Sequence, residues 1–245
     1  MNAVNEDMYK ELYGVLNRFI YDVRVKVVII TGCSRIKNGV EKQAFCAGAD
    51  MKEHSEGRRS FDQKRNYIEE AHSVVGFIYK YPKPTIAAIN GPARGAGVEM
   101  ALACDFVIME EEATIAFPET SLGSFVGGGV TYILPRNIGL MKAKELIYNG
   151  RILNGREAVE LGISLKCYYI DNFMENVFNF AEDLAKKAPI SVKKAKSLIQ
   201  DSYKLDVEDA LNLETEVILE CMETEDWKEG VNSFIENREP KYKGE

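Results

Sequence analysis

The chain has no apolar run approaching the roughly 20 residues that a membrane-spanning helix needs. Its start, Met1-Asn-Ala-Val-Asn-Glu-Asp7, lacks the basic-then-apolar pattern of a secretion signal. Positive charge is not in excess: 31 lysines and arginines face 38 acids, for a net charge of −7. Such a balance cannot neutralise a phosphate backbone, which argues against a general nucleic-acid binder but leaves room for a small anionic ligand held by a few local lysines. Cysteine is sparse and scattered. Cys33, Cys46, Cys104, Cys167 and Cys221 are odd in number and form no CxxC, against both a disulfide framework and a structural metal. Cys46 and Cys104 lie in apolar runs and read as inert core thiols. The two histidines, His54 and His72, stand apart from any ligand partner and read as surface or packing residues. No GxGxxG follows the first strand and no GxxxxGK[ST] occurs, which disfavours a nucleotide-binding module. These absences together point to a soluble protein of the reducing cytoplasm.

What is present is one generous domain, or a core with an appendage: 245 residues, 46% apolar and 28% charged. The pattern turns on residues 89–129. A strand, Thr85-Ile-Ala-Ala-Ile89, enters a glycine-punctuated turn, Gly91-Pro-Ala-Arg-Gly95-Ala-Gly97, and an apolar helix carrying Glu99 in its first turn. Small residues let backbone approach a ligand, and free N–H groups at a helix start attract negative charge. A second strand, Phe106 to Met109, leads through Thr114-Ile-Ala-Phe-Pro-Glu119 to Gly127-Gly-Gly129. Taken alone, Glu99 is equally an acid placed for the helix dipole, and Glu119 a solvated turn acid. Two acids flanking an oxyanion trap, however, are the parts needed to move a proton and a water beside a carbonyl.

Along the chain, residues 5–20 read as an amphipathic helix capped by Asn5, with Met8, Leu12, Val15 and Phe19 on its apolar face. Lys26 to Thr31 reads as a buried strand, Cys33 to Gln43 as a polar loop, and Ala44 to Asp50 as a strand ending in a small-residue turn. Ser60 to Tyr81 is helical, with Tyr67, Ala71, Val74, Val75 and Ile78 inward and Pro82 and Pro84 ending it. Helices at 142–149 and 156–161 precede a strand at 165–170. Helices follow at 172–187, 190–203, 206–223 and 225–236. The alternation implies an α/β core with parallel strands. The apolar faces of the last helices, as at Val207, Leu211, Ile218 and Met222, require burial on the core or on another subunit.

These segments resemble the crotonase (enoyl-CoA hydratase/isomerase) superfamily over nearly the whole chain. The matching stretches are Ala44-Phe-Cys-Ala-Gly-Ala-Asp-Met-Lys-Glu53, Lys83-Pro-Thr-Ile-Ala-Ala-Ile-Asn-Gly91, Gly95-Ala-Gly-Val-Glu-Met-Ala-Leu-Ala-Cys-Asp105, Phe117-Pro-Glu119, Leu134-Pro-Arg-Asn-Ile-Gly139 and Lys228-Glu-Gly-Val231 with Phe234. The resemblance implies a ββα spiral core over residues 1–185 and a helical trimerisation region over 186–245, with trimers or dimers of trimers. It implies an enoyl-CoA hydratase of fatty acid metabolism, with an acyl-CoA substrate, no metal and no cofactor beyond the coenzyme A of the substrate. The backbone N–H groups of Ala49 and Ala96 would form the oxyanion hole, Glu99 and Glu119 would be catalytic, and Gly127 would position the attacking water. Ala47, Gly48, Asp50 and Lys52 would lie along the coenzyme A. Phe125 is a candidate wall of the acyl pocket, and Lys241 and Lys243 are tail charges or contacts to a neighbour's coenzyme A phosphate. Relatives usually open with a β-hairpin that this sequence lacks before Asn5, have a shorter loop at 32–43, and often carry proline where Val126 stands. A double-bond isomerase, a hydratase of branched or cyclic acyl groups, and a thioester-binding protein without catalysis are the alternatives.

Overall fold

The computed structural model describes residues 2–37, 40–51 and 59–245. In chain order, helix α1 (Glu6–Tyr21) leads to strands β1 (Val28–Thr31), β2 (Arg35–Lys37) and β3 (Val40–Lys42), then to helix α2 (Phe61–Tyr79), β4 (Thr85–Ile89) and the short β5 (Ala93–Arg94). Helix α3 (Ala96–Ala103) precedes β6 (Phe106–Glu110), β7 (Thr114–Ala116), α4 (Val130–Ile138), α5 (Leu140–Asn149), β8 (Leu153–Asn154), α6 (Gly155–Leu161) and β9 (Lys166–Tyr168). Helices α7 (Phe173–Ala185), α8 (Pro189–Asp201), α9 (Val207–Met222) and α10 (Glu225–Ile235) follow.

The larger sheet runs β1-β4-β6-β9, every neighbouring pair parallel. All five residues of β4 are buried, as a central parallel strand with both faces covered requires. Their alternation sorts them: Ala87 and Ile89 join the main core with α2 and α3, whereas Ile86 and Ala88 meet Phe173, Val177 and Ala181 of α7. A smaller sheet, β5-β7-β8, pairs β5 with β7 in parallel and β7 with β8 antiparallel. Twice the chain passes from the large sheet to the small one and on into a helix, as β4–β5–α3 and as β6–β7–α4. That repeat places the turn after β5 and the turn after β7 side by side at one end of both sheets.

Several sequence expectations shift. The inward face of α1 is centred on Tyr9 and Leu16, flanked by Met8, Leu12, Phe19 and Ile20, and Val15 lies outside the core cluster. Residues 35–37 and 40–42 pair as an antiparallel hairpin where a polar loop was expected. Residues 44–50 form no strand. Gly48 turns the chain at φ +88°, leaving only single bridges from Cys46 to Ala93 and from Val4 to Ala49. Gly127 to Gly129 and Pro135 signal turns, so the sequence pattern predicts no helix where α4 stands. Its apolar stripe at Val130, Leu134 and Ile138 was the available sign.

Helices α8 and α9 bury none of their residues within the chain, and α10 buries only Asp226 and Ser233. Lys196 nonetheless ties α8 to the core: its Nζ lies 2.8 Å from Asp105 Oδ2, an oxygen that also accepts from the Thr85 amide and hydroxyl. Leu198, Ile199, Val217, Ile218 and Met222 line an open apolar cavity of about 520 Å³ between α8 and α9.

Candidate active site

The site begins where two turns are forced together by the absence of side chains. Gly97, in the first turn of α3, packs on residue 46: a Cβ there would lie 2.6 Å from the Cys46 carbonyl oxygen and 2.7 Å from its Cβ. The contact is reinforced by the Arg94 amide, which donates to the Cys46 carbonyl at 2.9 Å. Arg94 is itself fixed by guanidinium bonds to the carbonyls of Ala93 and Thr114. The segment carrying Ala49 therefore rests against the start of the helix carrying Ala96. A Cβ built on Gly48 would come within 3.9 Å of the Ala96 nitrogen.

Both alanine amides are spare. Val4 N–H donates to the Gly48 carbonyl and Asp50 N–H to the Val4 carbonyl, so the intervening Ala49 amide faces the other way. The Ala96 amide opens α3, where no preceding helical carbonyl can receive it. Among the described residues neither donates to a backbone carbonyl. Both alanines are half-buried, so the pair of donors borders an accessible space. Ala47 is exposed, Gly48 buried and Asp50 half-buried on the same turn, whereas Lys52 and His54 lie outside the described residues.

The two carboxylates converge there. Glu99 is 8% exposed, and its Oε1 accepts the Gly127 amide at 2.7 Å. Burial pushes its pKa up, and the Gly127 bond opposes that only in part. Glu119 follows Pro118 at the end of the β7 turn. Its Oε1 lies against Gly95, where φ is +48° and a Cβ would come within 2.6 Å of that oxygen. Only glycine combines that backbone angle with that proximity. Glu119 Oε2 is buried with no hydrogen-bond partner among the described residues. Its pKa is raised, first by burial and further by the charge of Glu99. A buried, unpartnered carboxylate oxygen is costly to retain, and two acids with raised pKa values in one hollow are a mark of functional sites.

The structure therefore brings together Ala49, Ala96, Glu99, Glu119 and Gly127. It also qualifies one of them: the Gly127 amide is already engaged by Glu99, so any hold it has on a water acts through that carboxylate. Phe125 is 72% exposed and does not line the cavity beside Gly128 and Gly129. His72, read from sequence as a surface or packing residue, is exposed as that reading has it, and its ring also reaches the glycine run. A Cβ on Gly127 would lie 3.1 Å from His72 Nε2 and 3.2 Å from both Glu99 oxygens. Sequence offered a faint signal, since His72 neighbours the inward Ala71 on α2. The pairing of α2 with the glycine run is purely tertiary.

Comparison with known proteins gives the family and the fold. The family model described as enoyl-CoA hydratase/isomerase matches residues 1–245. The human mitochondrial methylglutaconyl-CoA hydratase is 34% identical over 248 residues, covering 100% of this chain and 70% of that protein. A crystal structure of an enoyl-CoA hydratase from Bacillus anthracis superimposes with a TM-score of 0.92 at 36% identity, covering 99% of this chain and 91% of the other. An enoyl-CoA hydratase structure from Geobacillus kaustophilus gives 0.89 at 30% identity, covering 99% and 89%.

Proposed function

The chain belongs to the enoyl-CoA hydratase/isomerase family of the crotonase superfamily, and from that premise we propose that it adds water across the α,β double bond of an enoyl-CoA thioester. The observation that carries this reading is the convergence of two raised-pKa carboxylates on one pair of spare backbone amides. The thioester oxygen sits between the Ala49 and Ala96 N–H groups, which stabilise it as it becomes enolate-like. One glutamate takes a proton from water as the oxygen bonds to Cβ, and the other delivers a proton to Cα. The thioester's coenzyme A runs along Ala47, Gly48, Asp50 and Lys52. Two acids favour hydration over double-bond migration, for which one suffices. The methylglutaconyl-CoA hydratases among the relatives favour a branched or otherwise specialised acyl group as a second reading.

The assay is direct. Purified protein, with no added metal or nicotinamide, is expected to give crotonyl-CoA or one of a panel of straight, branched and cyclic enoyl-CoA thioesters the mass of one water. If the double bond migrates without mass gain, the isomerase reading replaces this one.

The unpaired faces of α8 and α9 belong to a subunit interface in the same proposal, most simply that of a trimer or a dimer of trimers. Leu211 and Ile218 are each 57% exposed in the single chain, both on α9, a helix with no internal burial. Introducing Leu211→Glu with Ile218→Glu is expected to shift the mass in sedimentation to that of one chain. An unchanged assembly places the interface elsewhere.

A further inference from the structure

Water addition by two glutamates leaves them out of step. The acid that takes the water's proton ends the turnover protonated, and the acid that serves Cα ends it ionised. Each must exchange one proton with its surroundings before the next turnover. Glu119 is only half-buried, and residues 120–125 after it are exposed. Glu99 is enclosed. It is 8% exposed, its Oε1 is taken by the Gly127 amide, and a Cβ on Gly128 would lie 2.5 Å from its own Cβ. The buried Tyr9 and Cys46 feel the Glu99 charge, yet burial drives both pKa values up, that of Cys46 to about 11. Both therefore keep their protons at neutral pH. His72 differs from them in its access to water. A Cβ added to Gly127 would lie 3.1 Å from His72 Nε2 and 3.2 Å from both Glu99 oxygens. Imidazole and carboxylate thus flank the same bare glycine, across a gap that one bridging water spans. His72 is at the same time exposed, and with Gly128 and Gly129 it lines a cavity of about 290 Å³ between α2 and α4. Imidazole takes up and releases a proton near neutral pH through two distinct nitrogens.

We propose that His72 carries protons between Glu99 and bulk water, so that Glu99 is reset after each turnover without exchanging directly with Glu119. The transfer balances: a proton leaves Glu99 for Nε2 while Nδ1 releases one to solvent, or both run in reverse. No bond to carbon changes, and His72 acts through Glu99 alone. The inference rests on the hydratase reading, and comparing steady-state with single-turnover rates tells the two apart. His72→Gln keeps hydrogen-bonding capacity but has no nitrogen that changes protonation state. With crotonyl-CoA, or another enoyl-CoA that gains water, kcat of this variant is expected to fall about ten- to a hundredfold. Its kcat/KM should hold, because that ratio reports enzyme already reset. A single turnover with enzyme in excess should keep the wild-type rate for the same reason. Imidazole added to the buffer should restore kcat in the variant and leave the wild type unchanged. A wild-type kcat in His72→Gln overturns the proposal and assigns the reset to direct exchange between the glutamates. A single-turnover rate that falls together with kcat also overturns it, since His72 would then shape the site and not its reset. So does a lowered kcat that added imidazole cannot raise. If the wild type adds water to no thioester, the hydratase reading falls and the relay falls with it. Every other failure leaves hydration standing.

Discussion

Glu99→Gln is expected to lower turnover by about 10²–10⁴-fold, the usual worth of a positioned acid or base, and at the same time to make the protein more stable at pH 7. The second effect follows from burial. The folded-state pKa of Glu99 is raised above its unfolded value. Between those two values the folded chain holds a proton that the unfolded chain has released, so stability falls as pH rises through the window. At pH 7 the charged form is a standing cost that neutral glutamine does not carry, while its amide oxygen still accepts the Gly127 N–H. Well below the ordinary carboxylate range, near pH 3, the difference should vanish. Denaturant titrations at both pH values check the sign. Glu119→Gln should lower the rate by a similar factor, since it too removes an acid/base group, and should leave the fold intact because Oε2 has no partner to lose. In the wild type the acid-side decline in rate should begin at higher pH than a free carboxylate would give, since both pKa values are raised. Full activity in either variant removes that residue from the mechanism.

Gly97→Ala is expected to cost about 10²-fold or more in kcat, although the added methyl touches no substrate. The new carbon would need to occupy space 2.6 Å from the Cys46 oxygen. Backbone cannot yield as a flexible side-chain tip does, so the 46–50 segment moves away from α3. Ala49 and Ala96 then no longer converge on one oxygen. A misplacement of about 1 Å costs on the order of 10² in rate, and outright loss of one oxyanion donor about 10²–10³. Overpacking should also lower stability by about 1–3 kcal/mol. Binding of a saturated thioester should weaken less than kcat falls, because the donors matter most once charge develops. Unaltered kcat with a confirmed stability loss would show that the two turns do not jointly hold the oxyanion.

Much of the scaffold was readable because it is local. The β4 strand is five consecutive apolar residues, and α2 carries its inward residues at helical spacing behind a capping Ser60. Glycines at 95 and 97 are chemically telling even before folding, because glycine tolerates both a positive φ and a close backbone contact. The motif spacing and the resemblance it carries pointed to Glu99, Glu119 and the two alanines. Residues 44–50 misled because their apolar content suits a strand, whereas Gly48 breaks the ladder after single bridges. Helix α4 was hidden by its own glycine and proline flags.

The amino-acid order by itself determined the parallel α/β core, the paired glutamates and the helical tail, since each depends on spacing within a segment or on a recognisable motif. Only the tertiary structure decided that the Ala49 and Ala96 amides are both spare, that Gly127 is spent on Glu99, and that His72 from α2 reaches the same hollow. Those facts depend on which surfaces meet across distant segments, and packing, unlike periodicity, leaves no regular trace along the chain.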